Sequence, residues 1–369
     1  MGGVTREDID NEAMAIAKLC VGSNTNTIVE VLANGWLPHH PTIYYIDMEY
    51  CEDTLERYID RIPQKLFEPK GSFPVLHLAQ IEPIISISHQ IASGLEYIHK
   101  NGSVHRDLKP SNGALTVSAT KADQIVLYSP RDQRWKLADL GSVADGTSKH
   151  FNTTRYSRGT ACYRAPEILK NPAKYNNKAD MWALGCIVYE LSTREKAFPN
   201  DWAILEYSKP EYSSFFSIRA LDRSFRKWPC FDLSYLSTST VYDRFESDIK
   251  CCYEDLYKDC RDMLNPQSTS RPSANTFAAR WELGVLKLRE WVSQYVCYNS
   301  QQDNSWPFFP VLFGDKAIRP ELETWIESLP ETFPKFPETF WKKPNTGTAG
   351  NVMAGTAHSS SAPSISSKK

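Results

Sequence analysis

The chain has 369 residues, a length that fits one large domain or two small ones. Its 44 acidic and 42 basic residues give a net charge of -2, which excludes a bulk field that would recruit nucleic acid or an anionic membrane surface. With 41% hydrophobic, 23% charged and 12% aromatic residues, the composition is that of a folded protein rather than a disordered or fibrous one.

The nine cysteines are scattered, and no two of them form a C-x-x-C pair. This pattern argues against a disulfide framework or a zinc site and is typical of a reducing compartment. We therefore expect a cytoplasmic protein, with the nucleus as the alternative. The most apolar helix-like stretch, Met181 to Leu191, is far shorter than the ~18 to 20 residues of a membrane span, and the polar N-terminus does not resemble a secretory signal.

The N-terminal part is predicted to contain one helix and two strands. Glu7 to Leu19 is rich in alanine, with apolar residues at helical spacing. Ile28 to Ala33 and Ile43 to Met48 are β-branched and aromatic runs that predict neighbouring strands. Turn-like sequences, Asn34-Gly35 and Pro38 to Pro41, stand between the two strands.

A long buried helix is predicted further along the chain. Arg61 to Gln80 contains three prolines, and we expect a surface loop there. Beyond Ile81, a stripe of large apolar residues at helical spacing predicts a helix that ends at Gly102. The stripe consists of Ile84, Ile87, Ile91, Leu95 and Ile98. Short strands are then predicted at Ala114 to Val117, Ile125 to Tyr128 and Trp135 to Ala138, followed by a loop and mainly helix from about Lys178 to Tyr298.

One motif, His105 to Asn112, has the H-R-D-L-x-x-x-N spacing of a catalytic loop for phosphoryl transfer. This chemistry needs little covalent help and much positioning. Asp107 is a candidate base that orients the acceptor hydroxyl, and Asn112 is a candidate Mg²⁺ ligand. Lys109 would reach the γ-phosphate of ATP as a point charge. The alternative interpretation is a charged surface loop.

Three further elements follow in the order that this chemistry requires. Asp139-Leu140-Gly141 stands directly after a predicted strand, where a metal-binding D-F-G turn is expected, with Leu140 in place of the aromatic ring. A lone Asp-x-Gly is usually a simple turn, but its position after the catalytic loop favours Asp139 as a Mg²⁺ ligand. Ala165-Pro166-Glu167 gives the A-P-E element, and Asp180 begins the long apolar helix.

Over roughly Glu7 to Tyr298, these motifs resemble eukaryotic protein kinases. Gly159-Thr160-x-x-Tyr163 resembles the serine/threonine rather than the tyrosine kinases, and the stretches 153–160 and 178–186 resemble a group of fungal kinase-like proteins. The resemblance implies an α+β fold, with a partial, strand-containing small lobe and a mainly helical large lobe. It also implies ATP and Mg²⁺ as cofactors and a protein substrate with a Ser or Thr acceptor.

The resemblance implies a nucleotide hinge after the second strand. Met48 corresponds to the gatekeeper, and the backbone of Glu49 and Cys51 would face adenine. Met48 is equally suited to the core. Glu12 corresponds to the glutamate of the regulatory helix, which normally pairs with a lysine on the third strand.

Further roles are implied for the large lobe. Arg106 would hold a phosphorylated activation loop, in which Thr154 is the first candidate and Thr153 the second, although these hydroxyls would equally suit a solvated loop. Three structural contacts are implied as well: Thr160 with Asp107 and Lys109, Asp180 with the backbone of the catalytic loop, and Glu167 with Arg271.

The lysine that pairs with the regulatory glutamate and the glycine-rich phosphate loop should both precede Glu12. Eleven residues stand before Glu12, and neither feature is among them. We therefore expect a truncated or incomplete kinase chain, and three explanations are open: a shortened gene model or alternative start, a shortened non-catalytic protein, or a replacement cation. Lys18 is discounted as that cation because it points to another face of the helix. A weak pseudokinase or protein-binding scaffold is the alternative function, ahead of a small-molecule phosphotransferase.

The expected organisation is a kinase-like domain over residues 1–298, divided into a small-lobe remnant (1–48), a hinge (49–52) and a large lobe (53–298). A Pro- and aromatic-rich extension is expected over 299–342. Residues 343–369 contain almost no large apolar residue, so we expect a disordered tail.

Overall fold

The computed structural model describes residues 5–20, 26–62, 74–110, 125–149, 151–154, 159–209, 252 and 254–286. Within these ranges the helices are α1 (Arg6–Leu19), α2 (Leu55–Arg61), α3 (Pro74–Lys100), α4 (Lys178–Thr193), α5 (Asp201–Tyr207), α6 (254–263) and α7 (274–286). The strands are β1 (Val31–Leu37), β2 (His40–Met48), β3 (Asp53–Thr54), β4 (Ser103–Val104), β5 (Val126–Ser129), β6 (Arg134–Leu137), β7 (Ala144–Asp145), β8 (Asn152–Thr154) and β9 (Ala173–Tyr175). The α+β fold predicted from the sequence is confirmed.

Helix α1 begins at a capping box, in which two backbone amides at the start of the helix are satisfied by side chains. Thr5 Oγ1 accepts a hydrogen bond from the Asp8 amide (3.2 Å), and the Asp8 carboxylate accepts one from the Thr5 amide (3.0 Å). The other end of the helix is fixed against α3, because the Tyr97 hydroxyl donates to the Leu19 carbonyl at 2.9 Å. The predicted helix is therefore confirmed, and its buried residues are Ala15, Ile16 and Leu19.

Strands β1 and β2 are neighbours, as predicted, and pair antiparallel; of the two predicted turn-like sequences, Pro38 to Pro41 contains the turn and Asn34-Gly35 does not. Strand β1 runs through Asn34-Gly35, and the turn falls at Pro38-His39. The reason lies across the strands: the Tyr44 hydroxyl donates to Asn34 Oδ1 at 2.6 Å, and the Tyr44 ring meets the Trp36 ring edge-on with centroids 5.2 Å apart. These cross-strand contacts satisfy the Asn34 side chain and extend the pairing beyond it.

Helix α3 carries the predicted apolar stripe, and all five stripe residues are buried. The helix starts at Pro74, so the loop predicted over Arg61 to Gln80 is wrong for 74–80, and 63–73 lie outside the described residues. Proline is favoured in the first helical turn because its missing amide would be unsatisfied there anyway. Where α3 crosses β6, a Cβ on Gly94 would lie 2.8 Å from Leu137 Cδ1, so glycine permits this close packing.

Strands β5 and β6, both predicted from the sequence, pair as an antiparallel hairpin, and β3 adds to its edge. The strand expected from Ile28 begins at Val31 instead, because the preceding residues bond to β6: the Val29 amide donates to the Leu137 carbonyl at 2.8 Å. The strand predicted at Ala114 to Val117, the extension at 299–342 and the tail at 343–369 all lie outside the described residues.

Helix α4 forms the centre of the large lobe. Trp182 is fully buried, and its ring stacks on Phe198 with centroids 5.3 Å apart. The Arg271 guanidinium lies 5.0 Å from the centroid of the Trp182 ring, at cation–π distance. Within the part of the chain that the structure describes, α4 and the other helices are too short or too polar to cross a membrane.

The fully buried Arg271 side chain also forms the implied pair with the A-P-E glutamate. Its two terminal nitrogens donate to the two Glu167 carboxylate oxygens, each at 2.8 Å. Other donors of Arg271 reach the backbone carbonyls of Asn265 (2.7 Å) and Lys178 (2.9 Å). These acceptors satisfy the hydrogen-bond donors of the buried Arg271 side chain, and loss of the carboxylate would leave its positive charge uncompensated.

Replacement of Glu167 by glutamine should therefore lower the free energy of unfolding by about 3 to 5 kcal/mol, because Arg271 would keep its charge without a carboxylate. Urea unfolding measures the change. Glu206→Gln is the matched control: it breaks a partly exposed pair with Lys209 and should cost less than about 1 kcal/mol. Equal losses in the two variants would contradict this assignment.

Candidate functional site

Three side chains converge at the catalytic loop. Lys109 Nζ lies 2.8 Å from Asp107 Oδ2 and donates to Thr160 Oγ1 at 2.7 Å, while the Thr160 hydroxyl donates to Asp107 Oδ1 at 2.8 Å. Lys109 is buried, and the Asp107 carboxylate is partly exposed. These are the contacts that the resemblance implied for Thr160. They hold the partly exposed Asp107 carboxylate in one orientation.

The backbone of this loop is held by Asp180, the first acidic residue of α4. Its two carboxylate oxygens accept hydrogen bonds from the amides of His105 and Arg106, each at 2.8 Å, and His99 Nε2 lies 2.8 Å from Oδ2. Two successive amides can reach one carboxylate because Arg106 adopts a left-handed conformation, with φ of 70°. Burial alone would raise the pKa of Asp180, but the hydrogen bonds and the nearby histidines lower it below its ordinary value.

Asp139 lies at the end of β6, also in a left-handed conformation, with φ of 55°. Its carboxylate accepts a hydrogen bond from the Gly141 amide at 3.3 Å. Burial raises the pKa of Asp139, and the Asp107 carboxylate adds to that shift, while His105 and Lys109 oppose it. Asp139 is therefore within electrostatic reach of the catalytic-loop residues, although it comes from a different part of the chain.

The carboxylate oxygens of Asp139 fit Mg²⁺. This hard cation binds through one or two carboxylates and completes its coordination with water and phosphate oxygens. A buried carboxylate whose pKa is raised is a group that a divalent cation stabilises. Among the described residues there is no cluster of three or more His, Cys, Asp or Glu side chains that would hold a metal alone. Asn112, the second predicted ligand, lies outside the described residues and stays a prediction.

A small apolar cluster, separate from the main core, lies between the predicted hinge and Asp139. It consists of Val29, Cys51, Leu127 and Ala138, with Met48 packed against it. Met48 ends β2, as predicted, and Ala138 directly precedes Asp139. Sequence reasoning found Met48 and Cys51 but missed the other three. Ala138 could have been found, because it joins a predicted strand to the metal-binding turn.

Sequence reasoning also missed a buried ion pair beneath the hinge. Lys136 Nζ lies 2.5 Å from Glu49 Oε1, and both side chains are at most 5% exposed. The Glu49 carboxylate accepts two further hydrogen bonds, from the Glu30 amide (2.8 Å) and from the Ser129 hydroxyl (2.7 Å). Burial would raise the pKa of Glu49, but these donors lower it below its ordinary value. A lysine in a strand gives no sequence signal of such a partner.

Glu12, on α1, faces the metal-binding turn rather than a lysine. A Cβ atom added to Gly141 would lie 3.5 Å from Glu12 Oε2, so the Glu12 carboxylate lies close to this turn. Burial, followed by repulsion from Asp139, raises the pKa of Glu12 to about 7. Lys18 contacts Asp145 at 2.7 Å, so it does not supply a cation to Glu12, as predicted. Within the described residues, Glu12 has no ion-pair partner.

The segment between Asp139 and Glu167 contains the predicted regulatory residues. Thr153 is exposed in β8 and lies opposite Lys174 of β9. Arg106 Nε donates to the Ser142 carbonyl at 2.6 Å, and its guanidinium lies 5.0 Å from the centroid of the Tyr175 ring. Thr154 belongs to β8 by its backbone, and Ser157 is outside the described residues. Arg106 and the β8–β9 pair are thus neighbours.

Comparison with known proteins agrees with this site. The family described as protein kinase domain matches residues 5–281 of the chain. That match covers most of the sequence and all the motifs named above, so the chain belongs to the protein kinase family. The range matched ends within α7, close to the last described residue.

Several curated kinases are similar to part of the chain. It is 30% identical over 161 residues to cyclin-dependent kinase B2-1 of Arabidopsis thaliana, which covers 43% of this chain and 44% of that relative. It is 30% identical over 188 residues to mitogen-activated protein kinase kinase kinase 3 of the same plant, covering 49% of this chain and 25% of the relative. A sporulation protein kinase of Schizosaccharomyces pombe is 30% identical over 190 residues, 51% of this chain and 29% of its own length. The matches thus span less than half of each relative.

The raised pKa of Glu12 predicts a pH-dependent stability. Between its ordinary value of 4.5 and about 7, the folded protein holds a proton that the unfolded chain releases, so stability falls as the pH rises through this window. In metal-free buffer, Glu12→Gln should therefore raise the free energy of unfolding at pH 8 by about 1 kcal/mol, after allowance for solvent screening, and by less at pH 5. Urea unfolding at both pH values measures this difference. Glu7→Gln, on the exposed first turn of α1, should bring no gain at pH 8, and a gain equal to that of Glu12→Gln would refute the account.

Proposed function

We propose that the protein is a serine/threonine protein kinase, which transfers the γ-phosphoryl group of ATP to hydroxyl groups of proteins. The observation that carries this proposal is the contact between Asp107, Lys109 and Thr160 within electrostatic reach of Asp139. Phosphoryl transfer depends on positioning and charge stabilisation, and these four residues supply both. Membership of the protein kinase family supports the same chemistry.

Asp107 acts on the acceptor. Its carboxylate orients the Ser or Thr hydroxyl of the substrate and takes the hydroxyl proton as the oxygen attacks the γ-phosphorus. The bond between this phosphorus and the β,γ-bridging oxygen breaks, and ADP leaves. Lys109, bonded to Asp107, places a positive charge beside the transferred group. Asp139 and Asn112 would hold Mg²⁺, which neutralises charge on the phosphates when it is bound.

Serine and threonine are favoured as acceptors by the resemblance of Gly159-Thr160-x-x-Tyr163 to kinases of that class. Several curated proteins similar to this chain are named as protein kinases, cyclin-dependent kinases among them. We propose a cytoplasmic location, with the nucleus as the alternative, because the scattered cysteines of the sequence suit a reducing compartment.

One observation favours a second candidate, a catalytically weak kinase-like scaffold. Glu12 lacks a cationic partner among the described residues, whereas active kinases pair the corresponding glutamate with a lysine that binds phosphate. The two candidates differ in what Asp107 does. A kinase depends on it for turnover, and a scaffold does not.

The first prediction from the proposed function concerns nucleotide binding. We expect the chain to bind Mg·ATP with a Kd of about 0.1 to 1 mM, because the described residues supply a hinge and a metal ligand but no glycine-rich loop over the phosphates. The melting temperature as a function of Mg·ATP concentration measures this affinity through linkage. Asp139→Asn should abolish the metal-dependent part of the shift. A micromolar Kd would show that another segment closes the cleft.

The second prediction concerns catalysis. Asp107→Asn should lower the rate of Ser/Thr phosphorylation by ~10² or more, because the acceptor hydroxyl loses its orienting base. Transfer of labelled phosphate to a Ser/Thr peptide mixture measures the rate, in this chain and in any longer product of the same gene that carries the phosphate loop and the strand lysine. Asp145→Asn, at an exposed position, is the matched control and should leave the rate unchanged. Turnover that is indifferent to Asp107 would favour the scaffold.

The third prediction concerns regulation. A phosphate on Thr154 or Thr153 would carry about -1.5 to -2 charges and could form charge-assisted bonds to Arg106, which neighbours β8 and β9. We expect mass spectrometry of the protein from its native cells to find this phosphate, with Thr154 favoured. The double variant Thr153→Ala/Thr154→Ala should lower the phosphorylation rate. Full activity in that variant would remove the switch from the mechanism.

A further inference from the structure

The buried charges beneath the hinge form a unit that the proposed chemistry does not use. We call it the hinge clamp and define it as Glu49, Lys136, Ser129 and the backbone amide of Glu30. Each Glu49 carboxylate oxygen has a short contact within it: Oε1 with Lys136 Nζ (2.5 Å) and the Glu30 amide (2.8 Å), and Oε2 with the Ser129 hydroxyl (2.7 Å). An outer pair, Arg131 and Asp132, lies at the rim and is more exposed.

Stability alone does not account for this arrangement. Transfer of two charges out of water costs much of what their attraction returns, and a buried ion pair can often be replaced by apolar residues without loss of stability. What such a pair does fix is geometry, since a carboxylate with this set of donors has one favourable position. The Glu49 side chain thus has a fixed position, and its own backbone is held with it.

The clamp connects the hinge to the metal-binding turn through backbone hydrogen bonds. The Glu49 amide donates to the Glu30 carbonyl at 2.9 Å, and one residue earlier the Val29 amide donates to the Leu137 carbonyl at 2.8 Å. Lys136 and Leu137 belong to β6, which leads directly to Asp139. The path from the hinge to Asp139 is therefore short, and each of its steps is a hydrogen bond or the backbone itself.

We propose that the Glu49–Lys136 pair is a positioning pair for nucleotide recognition: it holds the hinge backbone at a fixed distance from Asp139, so that adenine and the metal-bound phosphates are engaged together. This inference rests on the proposed function, because it assumes that the hinge backbone binds adenine. It goes beyond that function in assigning to Lys136, which lies outside every recognised motif, a role in nucleotide selectivity. Neither side chain touches the phosphates or the acceptor.

The test requires a variant that removes the charges and keeps the volume. Lys136→Met alone leaves Glu49 buried without its cation and is expected to destabilise the fold. The double variant Glu49→Gln/Lys136→Met removes both charges, keeps a side-chain acceptor for the Glu30 amide and is expected to fold. Arg131→Gln/Asp132→Asn is the matched control, because it removes the rim charges that contact Glu49 and Lys136 and keeps the Glu49–Lys136 pair itself.

Two probes separate the ends of the site: adenosine for the hinge, and Mg²⁺ with inorganic tripolyphosphate for the metal end. In the double variant we expect adenosine affinity to fall about tenfold, roughly the contribution of one hydrogen bond, while Mg·tripolyphosphate affinity stays within about twofold. The rim control should change neither affinity. An equal loss for both probes would reduce the pair to a structural role, and no loss for either would also overturn the inference.

Hydrogen exchange provides a readout that does not depend on nucleotide binding. Amides of the hinge, residues 49–52, should exchange at least about tenfold faster in the double variant, while amides of α4 keep their protection. If the parent chain binds neither probe, the proposed function fails for this chain, and exchange alone decides whether the clamp fixes the hinge. Unchanged exchange at the hinge would then refute the clamp, and accelerated exchange confined to the hinge would support it.

Discussion

The Asp180 carboxylate reaches from the first turn of α4 to two successive amides of the catalytic loop, and the rest of the site depends on this contact. The carboxylate is fully buried, so each hydrogen bond that it accepts has little competition from water. Its demand for two donors explains the left-handed conformation of Arg106, which would otherwise be costly. Because nearly all residues of α4 are buried, the loop is fixed to a well-packed helix.

The same principle recurs in the three largest buried cationic side chains. Arg271, Lys109 and Lys136 are each at most 2% exposed. Arg271 and Lys136 each contact a carboxylate from a different segment, and Lys109 contacts Asp107 of its own loop and the hydroxyl of Thr160 from another segment. Arg271 secures the A-P-E element, Lys109 joins the catalytic loop to Thr160, and Lys136 reaches the hinge. A buried charge must find a partner, so each of these cations fixes the relative position of two segments that bracket the site.

The sequence predicted the parts of the structure that depend on local pattern or on motif spacing. The stripe of α3 and the helix α1 follow from apolar residues at helical spacing, and the contacts of Thr160 and Glu167 follow from the resemblance to protein kinases. The predictions failed where contacts between residues distant in the sequence determine the local structure. The contact of Tyr44 with Asn34 keeps Asn34-Gly35 within β1 rather than in a turn. The hydrogen bond from Val29 to β6 makes β1 begin later in the chain than predicted. Lys136 could not be assigned a partner, because nothing near it in the sequence indicates Glu49.

The two ends of the site differ in charge balance, and this difference bears on what each end recognises. At the hinge, Lys136 neutralises Glu49, so the backbone there presents uncharged donors and acceptors beside an apolar cluster, an environment suited to a flat, uncharged ring. At the other end, Glu12 and Asp139 repel each other, and burial raises the pKa of both. Among the described residues, no lysine or arginine pairs with either of them, so this end has an excess of negative charge that a divalent cation would relieve. The carboxylates there would repel a triphosphate that is bound without such a cation. Binding of the metal and binding of the phosphates therefore depend on each other at this end, whereas binding of the ring at the hinge does not depend on the metal.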